Sequence, residues 1–313
     1  MQMQRVFITG GTGFFGKSML DYRLRHPEWD WAKAEWVVLS RSPARFVAEQ
    51  PELTNQDGVS FVAGDVRDFH FPEGKFDAII HAATSAAAAI SDEEMMSVAV
   101  EGTRHVIDFA KAIGRPKILF TSSGAVYGSR SEPAREEDSC NPTTAYGKGK
   151  LESERLLLAS GLDVNIARCF AFVGPYLDRK AHYAIGNFIQ DCLDGCDIVI
   201  KGDGTPLRSY LYSDDLVEWL FAILQRGHLG RAYNVGSDES MSIREVADRV
   251  CAVLGGDRKV VVKGTPNGGV PSVYVPDVSR AINELGVRVS IPFAEAIRWS
   301  SRRYDFRSVT KAI

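Results

Sequence analysis

Residues 5–16 read RVFITGGTGFFG, an apolar β-type run that empties directly into a glycine-rich turn. Gly11-Thr12-Gly13-Phe14-Phe15-Gly16 fits G-x-G-x-x-G, and Gly10, Gly13 and Gly16 also fit the looser G-x-x-G-x-x-G. One glycine serves a tight strand-to-helix turn, one a close approach of pyrophosphate, and one the packing of the following helix. The helix N-terminus then offers N–H donors and the positive end of its dipole. Placed after a five-residue strand at the head of the chain, the pattern predicts dinucleotide binding.

The segments that follow alternate strand-like and helix-like stretches. Strands are expected at 5–9, 36–40, 60–63, 76–82, 117–122 and 164–168, with helices near 14–24, 93–113 and 143–160. That rhythm predicts an α/β fold, a Rossmann-type doubly wound parallel sheet with ligands beyond the carboxyl ends of its strands. After about residue 170 turn-rich pieces interrupt shorter helices, so 1–170 is read as the NAD(P)-binding domain. Residues 171–313 are read as a smaller C-terminal substrate-binding lobe, with some segments returning to the first domain. Within it, Ser242 and Glu245 stand at capping-box spacing before a helix closed by Gly255 and Gly256.

With 45% hydrophobic residues, 25% charged residues and a net charge of -3, the chain has core material but no basic field for nucleic acid. No spanning helix and no signal peptide are expected, so the assignment is cytoplasmic, without a membrane partner; a homodimer is compatible with these features. Cys192 and Cys196 share an expected helix face, but no further ligands complete a metal set. They read as two buried thiols, and no metal is expected.

In TTAYGKGK, Tyr146 and Lys150 stand four apart, one turn on one helix face. A phenol titrates near pH 10, and an adjacent ammonium lowers that value, which suits an acid/base pair. The end of the second expected strand reads Ser40-Arg41-Ser42, with no carboxylate for an adenosine 2′-hydroxyl. An arginine and two hydroxyls suit a 2′-phosphate, so the cofactor is expected as NADP or NAD, leaning to NADP. Asp65 in GDV either accepts from the adenine amino group or closes an Asx turn.

Taken together, TGGTGFFG, GDVRD, HAA, TSSGAVYG, YGKGK, RCFAFVGP, GDGTPLRSYLYSDD and YNVGS resemble the extended short-chain dehydrogenases/reductases, the nucleotide-sugar epimerase/dehydratase family, over nearly the whole chain. The resemblance implies hydride transfer between a sugar carbon and a nicotinamide. Ser123, Tyr146 and Lys150 would form the catalytic set, with Ser122 a rival to Ser123; Tyr146 and Lys150 would also contact the cofactor, Lys150 holding the nicotinamide ribose. Phe14, Phe15, Val66, Ala82 and Ala83 would join the glycines at the cofactor, and Thr84, Ser85 and Asn187 would face substrate. Arg208 would grip a nucleotide diphosphate, the alternative being a scaffold pair with Asp214 or Asp215. His182 and Tyr183 stand beside this group.

Departures from the family pattern narrow the reaction. The Asp-Glu pair of the 4,6-dehydratases, whose Glu the decarboxylases keep, is Gly124-Ala125 here. Ala99, Ala171 and Asn267 replace two asparagines and a second phosphate arginine, so the sugar pocket is atypical. The expected activity is oxidation or reduction of a nucleotide-linked sugar at a ring carbon, C4, by a 4-epimerase or a 4-ketoreductase. The competing readings are a reductase of a non-sugar ketone or alcohol and a non-catalytic NAD(P)-binding scaffold.

Overall fold

The computed structural model describes residues 4–84, 90–179, 183–256, 258–265 and 268–302. The chain opens with β1 (Arg5–Thr9), α1 (Phe14–Arg25), β2 (Glu35–Ser40), α2 (Pro43–Glu49), α3 (Pro51–Thr54) and β3 (Val59–Ala63). It continues through β4 (Ala78–His81), α4 (Asp92–Ala112), β5 (Lys117–Ser123), α5 (Ala145–Ala159) and β6 (Val164–Cys169). Next come β7 (Phe172–Val173), α6 (Ala184–Leu193), β8 (Ile198–Ile200), β9 (Leu207–Arg208), β10 (Leu211–Tyr212) and α7 (Ser213–Arg226). The last elements are β11 (Ala232–Val235), β12 (Met241–Ser242), α8 (Ile243–Val250), β13 (Val260–Val262), β14 (Val273–Tyr274), α9 (Ser279–Leu285) and α10 (Phe293–Ser301).

Seven strands form one parallel sheet in the order β11-β6-β5-β4-β1-β2-β3. Strand order reverses between β1 and β4, which opens the crevice where doubly wound sheets take ligands. The run VFI in β1 is buried on both faces, as a strand covered by helices on both sides requires. One apolar layer joins Met19, Leu20, Trp36, Trp219 and Phe221; the other joins Phe7, Ile79, Phe109, Ile118 and Phe120. The expected strand at 76–82 is trimmed to Ala78–His81, and the helix expected from 143 starts at Ala145 because Thr144 caps it.

A third apolar cluster lies apart from the main sheet. It gathers Ile185, Phe188 and Ile189 of α6, Val246 and Val250 of α8, and Phe293 and Ile297 of α10. The capping box at Ser242 and Glu245 forms. β11 lies in the main sheet beside β6, so the chain returns there after leaving it. α6 ends at Leu193, which takes Cys196 off the helix. Cys192 is buried and Cys196 exposed, a correction to the expectation of two buried thiols. No acid, histidine and cysteine group among the described residues can hold a metal ion. None of the described helices is long and apolar enough to cross a membrane.

His81, at the end of β4, ties three elements together from a buried position. Its Nδ1 lies 2.8 Å from the Thr9 hydroxyl, and its Nε2 lies 3.1 Å from the Thr103 hydroxyl. Thr103 spends its single proton on the Ala99 carbonyl or on Ser153, so Nε2 must donate and Nδ1 must accept. Thr9 then takes the Ala83 N–H at 3.1 Å. Burial, with Lys150 adding to it, pushes the imidazole pKa down to about 3. Its folded value lies below the unfolded value of about 6.5, so the stability it contributes is full above pH 6.5 and is lost as pH falls toward 3. His81→Gln should be less stable than the wild type at pH 7 and lose less between pH 6.5 and 3. Urea melts across that range measure both slopes; parallel slopes would show that His81 does not titrate on unfolding.

Candidate active site

The glycine turn after β1 is built by close backbone approach. Gly10 has φ 73°, and a Cβ there would lie 2.5 Å from the Ala82 carbonyl carbon. A Cβ on Gly16 would stand 2.1 Å from the Gly11 backbone, so α1 can rise immediately behind the turn only without one. Gly13 caps α1 with no side-chain bond, and the first turn carries no acid. The helix therefore keeps N–H donors and an uncompensated positive end for an anion, which fits a dinucleotide pyrophosphate. Phe14 and Phe15 pack against Phe172, Val66 is buried, and Ala82 and Ala83 line the half-buried chain after β4.

At the end of β2 the arrangement differs from an array of hydroxyls around a phosphate. Ser40 is buried, and its Oγ accepts the Ser42 N–H at 3.2 Å. Arg41 and Ser42 are exposed. Asp65 closes the Asx turn by accepting from the Arg67 N–H, and the Arg67 guanidinium grips both its oxygens. Bonding to Arg67 first, and then the charges of Arg67 and Arg41, hold the Asp65 carboxyl below its usual range despite burial. An anion at Arg41 thus meets an ionised carboxylate close by.

The glycines of YGKGK have distinct uses. A Cβ on Gly147 would meet the Ala125 carbonyl oxygen at 2.6 Å, and one on Gly149 would meet Ala99 at 2.9 Å. Both let α5 settle onto the end of β5 and onto α4. The Thr144 hydroxyl takes the Gly147 N–H at 3.1 Å and fixes where the helix begins. Lys150 is 2% exposed, and its Nζ donates to the Thr121 carbonyl at 2.6 Å. The ammonium lies 4.8 Å from the Phe120 ring centre and 6.0 Å from that of Tyr146.

Ser123 separates from its rival by strand alternation. Ser122 donates to the buried Glu154, on the opposite side of β5 from the cleft. The Ser123 hydroxyl faces the Tyr146 phenol, accepts the Ala125 N–H at 3.1 Å and lies 3.3 Å from the Tyr274 hydroxyl. Burial drives the Tyr146 phenol up from its ordinary value, with Ser123 opposing that rise. The expected lowering by Lys150 is not among the main influences on the phenol, and the ammonium donates to the Thr121 carbonyl. Burial likewise brings Lys150 down to about 8 and pushes Tyr274 up to about 12.

Tyr274 was not among the sequence-derived candidates. It comes from β14, far along the chain, and only the pairing of β14 with β9 brings it beside Ser123. The Arg208 guanidinium lies 5.8 Å from its ring centre and donates from Nη1 to the Leu207 carbonyl at 2.7 Å. The scaffold pairs considered for Arg208 do not form: Asp214 pairs with Arg25, and Asp215 accepts from the Ser290 and Ile291 N–H groups. Thr84 donates to the Ala83 carbonyl, and Asn187 is half-buried on α6. Ser85, His182 and Asn267 lie outside the described residues, while Tyr183 caps α6.

At Gly124, one of the two positions where the resemblance places the dehydratase acids, a side chain would have to displace Phe170. A Cβ on Gly124 would stand 2.7 Å from the Phe170 ring. Ala99 is buried where α4 meets Gly149, a crossing that leaves its side chain no path to a ligand.

A profile described as the NAD dependent epimerase/dehydratase family matches residues 6–236. UDP-glucuronic acid decarboxylase 6 of Arabidopsis thaliana is 27% identical over 94% of this chain and 86% of its own length. Among solved structures, DesIV, a dTDP-glucose 4,6-dehydratase of Streptomyces venezuelae with NAD and TYD bound, superposes with TM-score 0.82. It is 27% identical, over 95% of this chain and 96% of its own. UDP-glucuronic acid 4-epimerase of Bacillus cereus, in complex with UDP-glucuronic acid and NAD, shares the fold at TM-score 0.81. It is 20% identical, over 96% of this chain and 98% of its own. Both structures hold NAD, which does not support the lean to NADP read from Arg41.

Gly10→Ala tests the glycine turn as a cofactor site. An alanine forced to φ 73° and against the Ala82 carbonyl should weaken NADH binding at least about tenfold in a folded protein. NADH fluorescence titration measures this, and wild-type affinity in the variant would place the cofactor elsewhere.

Proposed function

The chain belongs to the NAD dependent epimerase/dehydratase family and is an enzyme of it, and on that premise we propose that it is a nucleotide-sugar 4-epimerase with a resident NAD. The observation that carries this reading is the Phe170 ring packed where a side chain at Gly124 would have to stand. An elimination needs an acid and a base beside the sugar; this site has no carboxylate side chain at 124 or 125 to supply them. A C4 oxidation and its reversal need only one proton relay and a place to exchange hydride. The relatives act as decarboxylases and dehydratases as well as epimerases, so the choice among these reactions rests on this chain's own residues.

NAD, when bound, supplies the hydride acceptor and donor. The protein's share is to orient the sugar and to move one proton. Tyr146 takes the proton of the C4 hydroxyl and returns it to that same oxygen after the sugar has turned over, with Ser123 bonded to the reacting oxygen. Burial holds the phenol protonated, so proton transfer requires that the Lys150 ammonium face its oxygen when sugar and cofactor are bound. Arg208, at the rim and without a carboxylate partner among the described residues, takes the diphosphate. Anchoring at the diphosphate leaves the sugar free to turn, which a 4-epimerase requires of its 4-keto intermediate. The apolar cluster of α6, α8 and α10 would form the substrate lobe.

Mass spectrometry separates the possible outcomes. Nucleoside-diphosphate sugars incubated with the enzyme should give a C4 epimer of unchanged mass, and the purified protein should release NAD on denaturation. Loss of water or carbon dioxide would overturn the reading; uptake of two hydrogens from added NADPH would replace it with a ketoreductase. Tyr146→Phe should cut turnover by about 10²–10⁴-fold and leave NADH affinity nearly unchanged. Arg208→Ala should raise KM by about 10- to 100-fold, with free nucleoside diphosphates losing competition in parallel. Steady-state kinetics on the same sugar check both.

A further inference from the structure

Tyr146, Lys150 and Glu154 occupy successive turns of α5 and so form one stripe. Glu154 is 2% exposed and Arg168, from β6, 8% exposed. The guanidinium meets the carboxylate in a two-point grip, Nε to Oε1 at 3.1 Å and Nη2 to Oε2 at 2.8 Å. Oε1 also accepts the Ser122 hydroxyl. Arg168 reaches onward to the Tyr127 hydroxyl at 3.1 Å, and Tyr127 donates to Asn234 of β11 at 2.8 Å. A buried ion pair rarely repays its desolvation, so stability alone is a weak account of it.

Resting on the catalytic set proposed above, we infer that Glu154 is a positioning residue. Its carboxylate pins Ser122, so that Ser123 must face the cleft, and it stands as a counter-charge to Lys150 on the shared helix stripe. The pin follows from alternation: with Ser122 held on one side of β5, the next side chain can only point to the other. The groups around Lys150 define the counter-charge. β4 brings His81, neutral at working pH; β6 brings Cys169 and Arg168; α5 itself brings Tyr146 and Glu154. Burial lowers the Lys150 pKa to about 8, while Cys169 and then Glu154 act to raise it. Burial, however, pushes the Cys169 thiol up to about 12, so it carries no charge at pH 8. Glu154 is then the anion that keeps Lys150 an ammonium, even with Arg168 paired to the carboxylate.

Glu154→Gln alone would leave Arg168 buried without its partner and could unfold the protein for that reason. The test therefore uses Glu154→Leu/Arg168→Met, which removes both charges at similar volume, beside Ser122→Ala. The double variant should melt within a few degrees of the wild type. The alkaline midpoint at which NADH affinity falls should move down by roughly one pH unit. Ser122→Ala keeps the carboxylate, so it should keep the wild-type midpoint while kcat falls about tenfold at unchanged KM. A double variant with the wild-type midpoint would overturn the counter-charge, and a Ser122→Ala enzyme with wild-type kcat would overturn the pin. Failure of the wild type to bind NADH at all would instead sink the cofactor reading on which this inference rests.

Discussion

How closely α5 can approach β5 and α4 governs the candidate site. Gly147 leaves room for the Ala125 carbonyl, and Gly149 leaves room for Ala99 and Met96. At that separation the Lys150 stem passes into the interior and its head reaches the Thr121 carbonyl. The same approach sets Tyr146 against Ser123 and Glu154 against Ser122. A methyl group on either glycine would have to move backbone or a packed helix, and all these contacts share that one docking geometry.

Two polar assemblies run through the interior beneath the cleft. Thr9, His81, Thr103 and Ser153 connect the ends of β1 and β4 to α4 and α5. Ser122, Glu154, Arg168, Tyr127 and Asn234 connect β5, α5, β6 and β11. Each lies directly behind a set of cleft residues, the first behind the glycine turn and the second behind Ser123 and Lys150. Hydrogen bonds in a low-dielectric interior constrain direction as well as distance, so such assemblies fix orientation where apolar packing would allow sliding.

The site sets a glycine turn and a Ser123-Tyr146-Lys150 cluster beside a tightly packed Gly124. The glycine turn and the Ser123-Tyr146-Lys150 set are the parts on which the proposed hydride exchange would draw. At Gly124 the Phe170 ring replaces the space in which further chemistry would be staged. Tyr274 adds a second phenol beside Ser123, and Arg208 spans from its ring toward the rim. Among the described residues, Ser123 is flanked by hydroxyls of Tyr146 and Tyr274, which the proposed proton relay would use.

Local pattern made the first half legible. Strand ends, the helix starts at Phe14 and Asp92, the glycine turn and the Tyr146/Lys150 spacing all depend on residues near in sequence. Steric and periodic rules act over that range. Ser40 reads from the sequence as a phosphate ligand, and the roles of Asp65 and Ser122 are open there, because a hydroxyl or carboxylate can satisfy itself locally or reach outward. Only the fold showed Ser40 and Asp65 turned onto neighbouring N–H groups and Ser122 onto Glu154. Tyr274 carried no signal at all, since its place depends on β9 and β14 pairing across a long separation. The sequence by itself determined a dinucleotide-type α/β chain with a Tyr-Lys helix, because those features are written in short-range spacing. The tertiary structure decided which polar groups face the cleft and which ions are buried, because orientation and desolvation arise only when distant segments pack together.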